Sequence, residues 1–232
     1  MTVATDPAHA AVASEVTTEV GALGALYALS ARLFTAPDDE LYRALESGRV
    51  QRESCELLDR IALDVAEPEL TVDEDHQMLS ARYNDLFVVG YSEVVDKTDG
   101  TIDSQGPPVS LYESDYRPEV SWNDVNLDLA RAYEYFGCQV DQDQRRNHDH
   151  IRLQLEFMGY LCRREATVEP ETAAARLDFH DRHLRVVTDG VAEALASEPG
   201  TGLYGRLAAF LDELTAADVE ALAARQEGDN EQ

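Results

Sequence analysis

Lysine is almost missing from this chain. Its 232 residues carry 46 acidic side chains against 19 basic ones, a formal charge of −27, and Lys97 is the one lysine. Binding to a nucleic acid backbone requires clustered Lys and Arg. An anionic membrane surface requires the same, so neither partner is expected. Cys55, Cys138 and Cys162 are too few and too scattered for a disulfide framework or a Cys-x-x-Cys metal site. No apolar run approaches the roughly 18 residues of a membrane span, so stable membrane insertion is excluded as well. No basic stretch followed by an apolar one marks a signal peptide at the N-terminus. These absences predict a soluble protein of the reduced cytoplasm.

What is present argues for a core. Hydrophobic residues make up 44% of the chain, with 10 Tyr and 6 Phe, more than a disordered, highly charged polymer carries. A chain of this length buries about 70% of its unfolded surface in one helical core. The acid excess is then a surface property. Such a charge repels itself in the compact state, and the acid-rich, lysine-poor composition resembles cytoplasmic proteins of salt-in halophiles.

The period is helical almost throughout. Val16, Val20, Leu23, Tyr27, Ser30 and Phe34 form a first stripe, stopped by Pro37. Asp38 or Asp39 caps a short helix with Leu41, Tyr42 and Leu45, ending at Gly48. Leu57, Leu58, Ile61 and Val65 form the next stripe. Thr71-Val72-Asp73-Glu74 reads as a capping box opening a helix through Leu79, Tyr83 and Phe87 to Gly90. The period then fails over residues 91–121, which hold Gly100, Gly106, Pro107, Pro108 and Pro118. So long an irregular loop in a compact domain is usually functional. Helical spacing returns at Val125, Leu129, Tyr133 and Phe136, and Asn147 is a candidate cap for a helix to about Glu165. Two more helices follow, marked by Leu177, Leu184, Val187, Val191 and Leu195, then by Leu203, Leu207, Phe210 and Leu214. The expected fold is all-α: a single-domain helical bundle over residues 15–226, with flexible tails at 1–14 and 227–232.

Catalytic patterns are missing. His148, Asp149 and His150, with Glu156, His180 and His183, supply metal-ligand types. Yet there is no Glu-x-x-His pair for a helical di-iron site, and no zinc, phosphate-loop or nucleophile-elbow motif. No metal, cofactor or enzymatic activity is expected. On the helix after Asn147, Ile151, Leu155, Met158 and Cys162 share one stripe, with Leu153, Phe157, Tyr160 and Leu161 beside it. That width suits a central helix packed on two sides. Asp149, Arg152, Glu156 and Arg163 fall on the opposite face, where a solvated ion-pair ladder is the plain reading. His150 and Gln154 lie one turn apart in the apolar arc, as a buried polar pair.

These residues carry a resemblance. The run Asp149-His150-Ile151-Arg152-Leu153-Gln154-Leu155-Glu156-Phe157-Met158 resembles the signature of the TorD-like (TorD/DmsD/NarJ) redox-enzyme maturation chaperones. Tyr83-Asn84-Asp85-Leu86-Phe87, Pro107-Pro108-Val109-Ser110-Leu111-Tyr112-Glu113, Phe179-x-x-x-His183 and Tyr204-x-x-Leu207 resemble further segments of that family, in the same order. With its composition, the chain looks like a haloarchaeal member. It departs in having Gln154 where many members carry Glu, and in a long loop before Pro107.

The resemblance implies a cytoplasmic chaperone for a molybdopterin oxidoreductase of the dimethyl sulfoxide, trimethylamine oxide or nitrate reductase type. It would hold the apo catalytic subunit for cofactor insertion and bind its twin-arginine signal peptide. Carboxylates among Glu113, Asp115, Asp149 and Glu156 would take the guanidinium groups. Tyr112, Tyr116 and Trp122 would line an apolar trough, with Pro107, Pro108, Ser110, His150 and Gln154 completing the contact. His150 is expected to be neutral at pH 7 and to order the end of the Pro107–Tyr112 loop by hydrogen bonding. A helical adaptor or regulator with a different partner, or a metal-dependent helical enzyme, are the other classes compatible with the composition. The charge itself is testable. The screening length falls from about 10 Å at 0.1 M salt to about 3 Å at 1 M, so the melting temperature is expected to rise steeply between those concentrations; a flat curve would contradict the halophile reading.

Overall fold

A computed structural model describes residues 18–90, 92–96, 101–104, 106–140, 147–167 and 172–230. Val16, the tail at 1–14 and most of the polar stretch before Asn147 lie outside them. The fold is an all-α, single-domain bundle. Its helices are α1 (Glu19–Leu33), α2 (Asp39–Glu46), α3 (Arg49–Leu58), α4 (His76–Phe87), α5 (Trp122–Tyr135), α6 (Ile151–Thr167), α7 (Thr172–Phe179), α8 (Arg185–Ser197) and α9 (Leu203–Asn230). One π-type turn, His180–Leu184, joins α7 to α8.

The stripes read from the sequence are the buried faces. Leu23, Leu26, Tyr27 and Leu33 of α1 and Leu153, Leu155, Phe157, Met158 and Leu161 of α6 are all within 4% of full burial. These two helices are the centre of the bundle, and each is the other's main neighbour. They cross at two glycines. A Cβ on Gly159 would lie 2.7 Å from the Gly24 carbonyl oxygen, and one on Gly24 would lie 2.8 Å from Cys162 Cβ. Close beside this crossing, Arg176 is buried between Glu165 (2.6 Å) and Asp218 (2.5 Å), and Asp218 also accepts from the Tyr27 hydroxyl at 2.8 Å. An ion pair so enclosed needs these added hydrogen bonds to offset its desolvation.

Two sequence expectations are corrected and two segments gain detail. The stripe at Leu57–Val65 is helical only to Leu58. The chain then leaves the helix, held where the Gln51 side chain bonds both Pro68 O and Leu70 N at 2.6 Å, and where Arg206 bonds Glu69 O and Thr71 O. Glu74 does not close a capping box. It pairs with Arg82 at 2.8 Å, and Asp75 caps α4 by accepting from Met78 N. The irregular stretch 91–121 contains an antiparallel ribbon, β1 (Ser92–Asp96) with β2 (Thr101–Ser104), and a 3-10 turn over Glu113–Tyr116. Finally, α9 continues to Asn230, past the boundary read at 226; Ala, Gln and Glu favour helix enough to carry it on.

The Gly24–Gly159 crossing gives a stability test. Gly159→Ala gains up to about 1 kcal/mol of helix propensity, but it drives a methyl group into backbone, a clash worth about 1–3 kcal/mol. A net loss of about 1–2 kcal/mol in denaturant unfolding at molar salt is expected, and unchanged stability would contradict the close crossing.

Candidate functional site

The site forms where the end of the loop meets the first turn of α6. Tyr112 and His150 pair as an antiparallel bridge, with Ile151 N bonding Leu111 O at 2.8 Å and Glu113 N bonding Asp149 O at 2.9 Å. The Tyr112 and His150 rings stand edge to face with centroids 5.0 Å apart. At the other side of the loop, Val109 N bonds Leu86 O of α4, and the Tyr116 hydroxyl bonds Ser110 O at 2.7 Å. The Tyr116 ring covers Gly190 of α8 so closely that a Cβ there would lie 2.5 Å from it.

Beneath the loop sits a buried carboxylate. Glu113 is 0% exposed and faces Arg117 Nη1 at 3.1 Å, His183 Nδ1 at 3.1 Å and Gln154 Nε2 at 2.8 Å. His183 comes from the π-type turn and its Nε2 lies 3.4 Å from Asp128 of α5. Thus one side chain from the loop is held by α6, by the turn before α8 and by its own neighbour four residues on. Asp149, also at 0% exposure, accepts from the Ser114 hydroxyl at 2.6 Å. Its Oδ1 and the Oε1 of Gln154 have no hydrogen-bond partner among the described residues.

This placement corrects the sequence reading of several site residues. Glu113 and Asp149 are interior groups that fasten the loop, and Asp149 is not on a solvated face because the loop lies over it. Gln154 pairs with Glu113 rather than His150. A neutral amide meeting a buried carboxylate gains a charge-assisted bond that an imidazole one turn away does not offer. Glu156 is 27% exposed and lies 3.9 Å from Arg152. Ser110 bonds the exposed Asp115. Trp122 opens α5 at 47% exposure and is outside the cleft described next, while Pro108 lines a separate groove with Arg82, Leu86 and Pro199. Among the described residues no three His, Cys, Asp or Glu side chains converge as a metal site. No described helix is long and apolar enough to cross a membrane.

A cleft of about 240 Å³ opens between Tyr83 of α4, Tyr112 of the loop, and His150 and Arg152 at the start of α6. Sequence reasoning missed Tyr83 and Arg152 as cleft residues, and Arg117 and His183 as partners of Glu113. The family-like segments held Tyr83, Arg152 and His183 without showing that they meet here; Arg117 carried no signal. His150, not Asn147, caps α6: its carbonyl accepts from Gln154 N and its Nδ1 accepts from Arg152 N at 3.1 Å. Burial, then the Arg152 guanidinium, pulls its pKa down to about 4, so it is neutral at pH 7. The loop is ordered against it by backbone pairing and ring contact, not by a bond from the imidazole. Because the folded pKa lies below the unfolded value of about 6.5, the unfolded state binds the extra proton, and this stability is lost as the pH falls through that window. His150→Asn keeps a capping side chain and removes the titration. It should flatten the fall in stability between pH 6.5 and pH 4 by about 2–3 kcal/mol, read from urea unfolding across that range.

The family described as nitrate reductase delta subunit matches residues 49–188, a span that holds the loop, the π-type turn and every residue around Glu113. The selenate reductase assembly chaperone protein of Thauera selenatis is 32% identical over 171 residues, 70% of this chain and 71% of that one. The chlorate reductase assembly chaperone protein of Ideonella dechloratans is 31% identical over 193 residues, 79% of this chain and 82% of that one. With the matched span crossing the whole site and both relatives above 30% identity over more than two thirds of each chain, the chain belongs to the nitrate reductase delta subunit family, the TorD- and NarJ-like redox-enzyme maturation chaperones.

Proposed function

We propose that this protein is the assembly chaperone of a molybdopterin oxidoreductase, holding the apo catalytic subunit until its cofactor is inserted and binding that subunit's twin-arginine signal peptide in the cytoplasm. The observation that carries this reading is the loop over Pro107–Tyr116, fixed to α6 from beneath through Glu113 and Asp149 while its outer side chains stay accessible. A rigidly backed surface loses little entropy when a peptide settles on it. The relatives named for selenate and chlorate reductase assembly support the same role, with an oxyanion-type reductase as client. The composition supports a salt-in halophilic host.

The buried positions of Glu113 and Asp149 reassign the polar contacts. The carboxylates within reach of an arriving guanidinium are Asp115, exposed beside Ser110, and Glu156, one turn along α6 from Arg152. Tyr112 and the exposed Trp122 offer aromatic surface to the apolar segment that follows the arginines. Calorimetry in molar salt with a twin-arginine leader, its twin-lysine version and an unrelated apolar peptide tests the reading. The leader should bind with most of its affinity in the apolar part, because long-range steering is screened. The twin-lysine version should bind several-fold more weakly, having lost forked geometry. Equal binding of the unrelated peptide would reduce the protein to a general holdase.

A further inference from the structure

Tyr135, near the end of α5, is 84% exposed, the most open of the large apolar side chains described. Its ring stands edge-on to Phe136 with centroids 5.0 Å apart. From there the rings continue inward: Phe136 to Phe157 at 5.8 Å, Phe157 to Phe179 at 4.8 Å, and Phe179 to His183 at 5.5 Å. This run is the floor of a groove of about 300 Å³ between α5 and α7. It starts in solvent and ends at the imidazole that faces Glu113 under the loop. Groove and loop therefore share a residue. The rim is charged but balanced. Arg182 bonds Asp128 of α5 and lies 3.3 Å from Asp178 of α7, and Arg131 is the other basic side chain there. Two guanidinium groups against two carboxylates leave the described lining without net charge, in a chain of −27. The groove between α8 and α9 is larger, about 670 Å³, yet it presents Asp189, Glu193, Glu198 and Asp212 and no basic side chain. An uncharged apolar segment gains ring contact in the first groove and would only desolvate carboxylates in the second.

We propose that the groove between α5 and α7 receives the leader's uncharged apolar segment, which packs against Tyr135 and Phe136; the site rests on the leader reading and extends it beyond the loop. Charge and continuity both select this occupant. The arginine pair has its carboxylates beside the loop, so the stretch that follows needs a surface without excess acid, and this rim supplies one. The ten steps of helix from Trp122 to Ala132 rise roughly 15 Å. A peptide that has passed Trp122 covers that rise in about five extended residues. His183 then joins the two ends of the site, touching the groove through Phe179 and the loop through Glu113. The loop end is tied to the same turn a second time, where Arg117 donates to Arg182 O. A second copy of the chain is a poor occupant, because it brings its own charge of −27 to the contact.

The test uses the full chain in molar salt with the twin-arginine leader as probe. Tyr135→Ala removes an exposed ring, so the fold is kept, and it should weaken leader binding about five- to tenfold. Ala132→Trp fills the groove and should weaken binding at least as much, with a melting curve to check that the chain still folds. Ala196→Trp puts the same bulk into the groove between α8 and α9 and should leave affinity unchanged. The twin-lysine version should lose the same factor against Tyr135→Ala as against the unaltered chain, because the two halves of the leader touch separate surfaces. A nitroxide at the end of the leader's apolar segment should broaden the amide signals of residues 132–136 and 175–179 and spare those of 192–196. A leader that does not bind the unaltered chain would overturn the assembly reading and this site together. A leader that binds but is indifferent to Tyr135→Ala, or whose nitroxide spares residues 132–136, would overturn the groove alone.

Discussion

A single buried carboxylate holds the functional face of this molecule together. Glu113 has no contact with solvent, yet it sits at the end of a segment with little regular structure. Its charge is tolerable only because Arg117, His183 and Gln154 all reach it. Removing one partner from such a group typically costs about 3–5 kcal/mol, so loop, α6 and π-type turn are bound into one unit. The arrangement explains why an irregular stretch remains in one place: backbone bonds tie it to Asp149, Ile151 and Leu86, and the carboxylate adds three side-chain partners.

Behind that unit lies the α1–α6 crossing. Gly24 and Gly159 let the two backbones approach to contact, which places the first turn of α6 against the end of α1. Phe34 and Thr35 thereby reach the same cleft as His150 and Arg152. The π-type turn does similar work on the other side. It carries His183 inward to Glu113, and such turns recur at functional positions in helices.

Most helices were legible in the sequence because their buried faces repeat at helical spacing: Leu23 to Leu33, Leu79 to Phe87, Leu153 to Leu161 and Leu203 to Leu214 are core residues. The cap at Asp38 was legible too, since a carboxylate three residues before Leu41 stands where it accepts from a free backbone amide of the first turn. Periodicity could not show which parts of the chain meet. It put Asp149 on the polar face of α6, correctly for an isolated helix, but the loop covers that face. It paired His150 with Gln154 by spacing, whereas the stronger partner of Gln154 comes from 41 positions away. Ile61 and Val65 continued a helical pattern that the irregular connection to Leu70 interrupts, because Gln51 and Arg206 satisfy the backbone there instead. The cleft was hidden for the same reason, being assembled from Tyr83, Tyr112 and Arg152, each unremarkable in its own segment.

The crossing of α1 with α6 also dictates an order of events during synthesis. The apolar face of α1, complete by Leu33, has as its main partner a helix that begins only at Ile151. A ribosome adding about 5–20 residues per second leaves that face waiting for several seconds before α6 emerges. Contacts this distant in sequence also form slowly once both ends exist. The apolar face of α1 therefore stays uncovered for that whole interval, until the sixth helix arrives.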